Sequence, residues 1–240
     1  MHIGTSIIIF LVIGLCSAQW MIGVPGLYRS KLLREYPEFC GNLKCPKFNI
    51  TSVGDDYEER CYEESMWASI SVQAPHKQST SFGPMFQSLY KYISGENDQK
   101  IEIPMTAPVL VTVKMSADKN DYLDIKMHFF IPPTNLTIPK PTADAIKLVN
   151  YPKICVYVRV FSGYQTSVNK NLLLQRRQLT EALDKTGRNY NKNDLIYAGY
   201  DSPWKIFHRH NEIMVRVEPK ESASTGILAK ESGFHTNDVA

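Results

Sequence analysis

A chain of 240 residues with 43% hydrophobic and 21% charged residues is long enough to bury a sizeable core, which excludes a disordered or fibrous protein. A formal net charge of +3, with no Lys/Arg run longer than the pair Arg176-Arg177, excludes a nucleic-acid-binding surface built on charge. Beyond the N-terminus no segment approaches the roughly 18 apolar residues of a membrane-spanning helix.

In chain order, the apolar run Ile7 to Ile13 is followed by the small residues Cys16-Ser17-Ala18. The run is too short to cross about 30 Å of hydrocarbon. It predicts a cleaved signal peptide over residues 1–18, although no Lys or Arg precedes it; the alternative is a buried N-terminal strand. Residues 19–45 are broken by Pro25, Gly26, Pro37 and Gly41 and read as an arm pinned by a cysteine loop. After cleavage Cys40, Cys45, Cys61 and Cys155 remain. In an oxidising compartment the preferred pair is Cys40–Cys45, with Cys61 and Cys155 either joined or free. The spacing of Cys40 and Cys45 is not that of a zinc site. Asn49-Ile50-Thr51 and Asn135-Leu136-Thr137 are N-glycosylation sequons, and with a signal peptide they point to an extracellular protein.

Residues 46–219 carry the periodicity of a folded domain. A strand is expected from Asp56 to Glu63 and another from Trp67 to Val72. Ser79-Thr80-Ser81 offer N-caps for a helix whose apolar face is Phe82, Phe86, Leu89, Tyr90 and Ile93, stopped by Gly95. Extended segments follow at Ile101 to Val113 and at Leu123 to Ile131, before Pro132-Pro133. The same order then returns: a strand at Ile154 to Phe161, a helix marked by Leu172, Leu179 and Leu183 and stopped by Gly187, then strands at Leu195 to Tyr200 and Glu212 to Val217. The chain thus reads strand–helix–strand–strand twice. Neither unit can cover its own sheet face, so the two should close on each other as an α+β, mostly antiparallel curved sheet or barrel flanked by two helices. Residues 220–240, with Ile227, Leu228 and Phe234 as their large apolar groups, read as a flexible tail.

Catalytic patterns are missing: there is no G-x-S-x-G, H-E-x-x-H, phosphate-binding or dinucleotide-binding loop. No enzyme is expected. His208 and His210 would share one face of a strand with Arg209 opposite, and a solvated edge explains them better than a metal does. His128, in the strand Ile125 to Ile131, is a weak candidate for an iron ligand against the commoner reading of a satisfied strand histidine.

Several segments together resemble the SOUL/haem-binding proteins. Tyr57-Glu58-Glu59-Arg60 with Tyr62 and Trp67 is similar to that family's opening strand, and Ile103-Pro104-Met105-Thr106-Ala107-Pro108-Val109 to its most distinctive motif. Val156-Tyr157-Val158-Arg159 with Phe161, Gly163 and Tyr164 resembles its middle strand. Tyr197 to Pro203 and Asn211-Glu212-Ile213 resemble its C-terminal signature. Phe39-Cys40 and Cys45-Pro46 resemble the lead-in of the secreted, haem-binding protein 2-like branch.

The resemblance implies a distorted antiparallel β-barrel with two helices, built by duplication. It implies non-covalent binding of haem or a related tetrapyrrole in an apolar groove beside the first helix, without a reaction. Phe82, Met85, Phe86 and Tyr90 would line the groove, with Tyr200 and Trp204 as a further wall or lid. An aromatic stripe at helical spacing also suits a core-facing helix. Where some members carry a basic residue on this helix the chain has Gly83. A histidine position of the first strand falls on Cys61, whose thiolate could ligate iron only if unpaired. The resulting expectation is an extracellular haem carrier or scavenger. The alternative is a secreted module on the same scaffold for another apolar small molecule or a protein partner.

Overall fold

Strand-forming residues dominate the domain, and alternation of side chains sets which of them face each other. A computed structural model describes residues 36–73, 80–115, 122–135 and 137–219. The expected signal peptide, most of the N-terminal arm, His76 and the tail lie outside the described residues. In order, the elements are β1 (Phe48–Val53), β2 (Glu58–Tyr62), β3 (Ser65–Val72), α1 (Gly83–Ile93), β4 (Val109–Met115), β5 (Tyr122–Ile131), β6 (Ile146–Tyr151), β7 (Ile154–Phe161), α2 (Lys170–Lys185), β8 (Asp194–Gly199) and β9 (Asn211–Arg216). The strands form one nine-stranded antiparallel sheet, a curled half-barrel, in the order β1-β2-β7-β9-β8-β4-β5-β3-β6.

The doubled unit is present as β3-α1-β4-β5 and β7-α2-β8-β9, joined through β4 and β8 at the centre of the sheet. A feature absent from the linear reading is an exchange of leading strands. β2 precedes the first unit but pairs with β7 of the second, and β6 precedes the second but pairs with β3 of the first. The halves are therefore interlocked rather than side by side. β1 and β6, which the sequence did not suggest, are the two edge strands. The expected strand at Ile101 to Val113 begins only at Val109. Pro104 and Pro108 have no N–H to give to a ladder, and the Ala107–Pro108 bond is cis. This segment instead follows α1, with the Ile103 N–H on the Ile93 carbonyl at 2.8 Å and the Thr106 hydroxyl on the Phe130 carbonyl at 2.7 Å.

The period of two divides the sheet into unlike faces. Odd positions of β4, β5, β8 and β9, such as Val111, Val113, Ile125, Met127, Leu195 and Ile213, are buried beneath the helices. Leu172, Leu179 and Leu183 bring α2 onto that core with no exposure, each contributing about 1.5–3 kcal/mol. Asn169 caps α2 by accepting from the N–H groups of Asn171 and Leu172, and Gly187 follows its end at φ 62°. α1 is capped differently from expectation. Phe82 holds the N-cap position and the Ser81 hydroxyl takes the Gly83 N–H at 3.3 Å. The opposite, concave face carries a second cluster that includes Val156, Val158, Ala198 and Met214 together with Cys40 and Cys45 of the arm.

Both disulfides form. Cys40–Cys45 closes the arm's loop, and Cys61–Cys155 joins residues directly opposite each other on β2 and β7. The second spans 94 residues and ties the exchanged strand to its host. Closing so long a loop removes more chain entropy from the unfolded state than closing one of 5. Replacing Cys61 and Cys155 together with Ala should lower the unfolding free energy in urea by about 2–4 kcal/mol. The matching Cys40/Cys45 double variant should lose clearly less, and equal losses would contradict this account.

Candidate functional site

Four residues per step on an α-helix advance about 400°, so an i, i+4, i+8 stripe drifts by roughly 40° at each step. The drift separates the three aromatic residues of α1. Phe82 points into the core and stacks on Tyr197 at 5.7 Å. Phe86 lies on the flank, half-buried, with its ring edge-on to Phe129 at 5.2 Å. Tyr90 is 47% exposed and stacks on Phe86 at 5.9 Å with planes 12° apart. Phe86 and Tyr90 thus form a stacked aromatic face at the surface. Phe82 and Met85 do not join it, contrary to expectation. Both are sealed in the core at 7% and 2% exposure, because the inward side of α1 must fill the space above β3, β4 and β5.

The β8–β9 connection rises at the same end of the sheet. It leaves from Gly199, which pairs with Val109; Val109 pairs with Phe129, under Phe86. Two strand spacings, about 10 Å, separate the root of this loop from the aromatic face. Arg209 organises the loop. Its guanidinium donates to the carbonyls of Asp201 (2.9 Å) and Ser202 (2.8 Å) and lies 4.8 Å over the Tyr164 ring. The Tyr164 hydroxyl donates to the Pro203 carbonyl at 3.3 Å. Held in this way, the loop presents Trp204, Ile206 and Phe207 to solvent at 89%, 70% and 76% exposure. Three large apolar side chains on one clamped loop are a feature that ordinary packing does not explain. The sequence reading put His208 and His210 on one face of a solvated edge with Arg209 opposite. His208 is indeed exposed, but in a loop and in a left-handed conformation (φ 51°), while Arg209 is buried as the loop's clamp.

Tyr200 belongs to the other face. It is buried on the concave side, where its hydroxyl donates to Glu212 Oε2 at 2.7 Å. Glu212 has no exposure and is shared by three partners, the others being Arg60 at 2.8 Å and His210 Nε2 at 2.7 Å. Phe39 of the arm covers the group, stacking on His210 at 4.3 Å and lying under the Arg60 guanidinium at 5.4 Å. The sequence reading missed this network. Its one signal was Glu212 at the head of the apolar run Ile213-Met214-Val215; Arg60, among the polar residues of β2, carried none. Tyr200 is thereby a structural residue of the concave face and stands apart from Phe86 and Tyr90.

The two candidate iron ligands are also removed from the aromatic face. Cys61 is bonded to Cys155 and offers no thiolate. His128 is wholly buried on the concave side, between Trp67 and Tyr151, with Nε2 in a 3.1 Å hydrogen bond with Thr112. Burial, and then the charge of Lys126, pushes its pKa down to about 3, so the ring is neutral. No group of three or more His, Cys, Asp and Glu suited to a metal ion occurs among the described residues.

The family model described as SOUL heme-binding protein matches residues 43–216, which is the whole of the sheet and both helices. The chain belongs to that family. Among its relatives, Heme-binding protein 2 of Homo sapiens is 31% identical over 160 residues, covering 65% of this chain and 76% of the relative. Heme-binding protein 1 of Bos taurus is 30% identical over 178 residues, covering 72% of this chain and 91% of the relative. Heme-binding protein 2 of Mus musculus is 30% identical over 173 residues, covering 71% and 82%.

In this SOUL-family chain the Glu212 network sets an acid limit on stability. Burial opposes ionisation of Glu212, but His210, Arg60 and Tyr200 outweigh it and hold the carboxyl below its ordinary value. A carboxyl lowered on folding stabilises the protein above its unfolded pKa, and that stabilisation disappears as pH falls through the folded value. Urea stability should therefore drop below about pH 4.3. Glu212→Gln should flatten part of that fall. It should also cost about 1–3 kcal/mol at pH 7, because Arg60 keeps Glu58 at 2.8 Å but loses the charge of its buried partner. A neutral variant as stable as the parent would refute the role given to this pair.

Proposed function

We propose that this protein binds haem or a related tetrapyrrole on the Phe86–Tyr90 face, with the Trp204 loop closing over the bound ring. The observation that carries the proposal is the pair of parallel aromatic side chains held at the surface of a SOUL-family fold. A porphyrin is a flat apolar plate with two acidic arms, and it gains most from stacking on rings and from apolar cover on its second side. Phe86 and Tyr90 supply the first surface. Trp204, Ile206 and Phe207, exposed about two strand spacings from it, are suited to supply the second. Relatives named as heme-binding proteins support the ligand class. Since Cys61 and His128 are unavailable on this side, affinity rests on stacking and burial of the ring rather than on their ligation of iron.

The same reading places the protein outside the cell as a carrier or scavenger. Two disulfides suit an oxidising compartment, and the sequon residues Asn49 and Asn135 are both exposed. Expression in a secreting eukaryotic cell should give a disulfide-bonded product in the medium whose mass falls on glycosidase treatment. Hemin added to the purified protein should produce a saturable change in the Soret band. Phe86→Asp or Tyr90→Asp should weaken binding by about tenfold or more, as expected for the loss of a stacking contact in a desolvated site. Linear, unsaturable uptake, or full affinity in both variants, would overturn the site.

A further inference from the structure

Large apolar side chains in water collapse onto any apolar surface within reach, so keeping three of them out needs a stiff mount. The β8–β9 loop is such a mount. Besides the carbonyls of Asp201 and Ser202, the Arg209 guanidinium donates to the Lys205 carbonyl at 2.5 Å, so one buried side chain holds three backbone oxygens. The His210 N–H donates to Asp201 Oδ2 at 2.6 Å, and the Lys205 N–H to the Ser202 carbonyl at 3.0 Å. Trp204, Ile206 and Phe207 are thereby displayed on a preformed turn. Tyr164, 53% exposed, adjoins them through Pro203 and Arg209.

The surroundings of this loop are sorted by charge. Asn211 Nδ2 donates to the Gly163 carbonyl at 2.7 Å, so the root of the loop abuts the connection from β7 to α2. From Val160 to Thr180 the chain has Lys170, Arg176 and Arg177 and no Asp or Glu. Lys170 and Arg177 are exposed and have no acidic partner among the described residues, and the exposed Leu174 stands between them. At i, i+4 and i+7 the three share one side of α2. The acids of that helix begin at Glu181, about 16 Å beyond Lys170. In the loop itself Asp201 is paired with Lys205 at 2.7 Å. Asp55 and Asp56 precede β2, two strands away from β9, and Asp56 is held by Arg159 at 3.4 Å. The apolar tip is thus flanked by cations that no carboxylate neutralises.

We propose that this end of the molecule docks on a phospholipid bilayer that carries anionic headgroups. Trp204, Ile206 and Phe207 enter the boundary between headgroups and acyl chains, while Lys170 and Arg177 meet the negative headgroups. Tryptophan suits that depth, since its ring is apolar and its indole N–H still reaches a polar group. A bilayer is favoured over a protein because side chains at 70–89% exposure protrude, and a fluid layer admits them without a matching pocket. Unpaired cations beside the tip favour an anionic layer over a neutral one. The same loop is placed above over a bound ring. The inference here concerns the ligand-free protein and stands whether or not a ring binds.

The test uses full-length protein secreted into the medium and freed of hemin, floated with vesicles of phosphatidylcholine alone or with about one third phosphatidylserine. Saturable binding is expected, about tenfold tighter to the vesicles with phosphatidylserine. Binding should shift tryptophan emission to the blue. Replacing Trp204 and Phe207 together with Ser, both at exposed positions, should remove that shift and weaken binding about tenfold or more. Replacing Lys170 and Arg177 together with Glu should weaken binding to phosphatidylserine vesicles about tenfold and leave hemin titration unchanged. Phe86→Asp, which tests the tetrapyrrole site, should leave vesicle binding intact. The proposal is overturned if the protein binds neither vesicle, if the Trp204/Phe207 variant binds as the parent does, or if phosphatidylserine adds nothing. It is equally overturned if the loop instead drives self-association, seen as concentration-dependent dimers that the Trp204/Phe207 variant loses, without vesicle binding.

Discussion

The pairing of β2 with β7 is the contact on which the rest of the molecule depends. It joins the leading strand of one half to the first strand of the other, as β6 does in return with β3. A duplicated unit could have formed two separate small sheets with weak cores. The exchange makes one continuous sheet and commits both helices to a single core. The Cys61–Cys155 bond lies within this pairing, and Arg60, one residue away, reaches Glu212 on β9. The covalent link and the buried ion pair thus reinforce the same junction from neighbouring positions.

A sheet of this kind has two unlike faces. The helix-covered face is closely filled, and only the part of the aromatic stripe of α1 that rotates out of that core reaches the surface. The concave face is mixed. Its arm-covered half holds a charged network that is nearly sealed, and its other part retains open volume lined by apolar groups and paired charges. Arg60 and Glu212 tolerate burial because each has charged or polar partners within hydrogen-bonding distance. The division explains why residues close in sequence, such as Tyr197 and Tyr200, serve different ends: one stacks on Phe82 under the helices, the other braces Glu212 beneath the arm.

Much of the candidate site was visible as a pattern, yet its geometry was not. The spacing of Phe82, Phe86 and Tyr90 marked an amphipathic helix. It did not separate the residue that fills the core from the two that face outward, since that depends on where the helix axis lies above β4 and β5. Trp204 was noticed near a family motif, but its exposure follows from the Arg209 clamp, whose acceptors are backbone carbonyls and leave no trace in side-chain identity. The open alternatives for Cys61 and His128 closed for similar reasons. Sequence separation says nothing about whether two cysteines will stand opposite each other, or which side of a sheet a histidine will occupy relative to a distant helix.

By itself the sequence determined the elements whose signals are local: the two amphipathic helices, their glycine stops, the alternating strands of the two repeats and the motifs of the SOUL family. Periodicity and backbone preference act over a few residues, so they survive in a linear reading. Tertiary structure alone decided the exchange of β2 and β6, the union of Cys61 with Cys155, the burial of Arg60 against Glu212, and the cavity on the concave side. Each of these depends on which strands become neighbours. That choice is made by the balance of burial, charge pairing and chain entropy over the whole sheet.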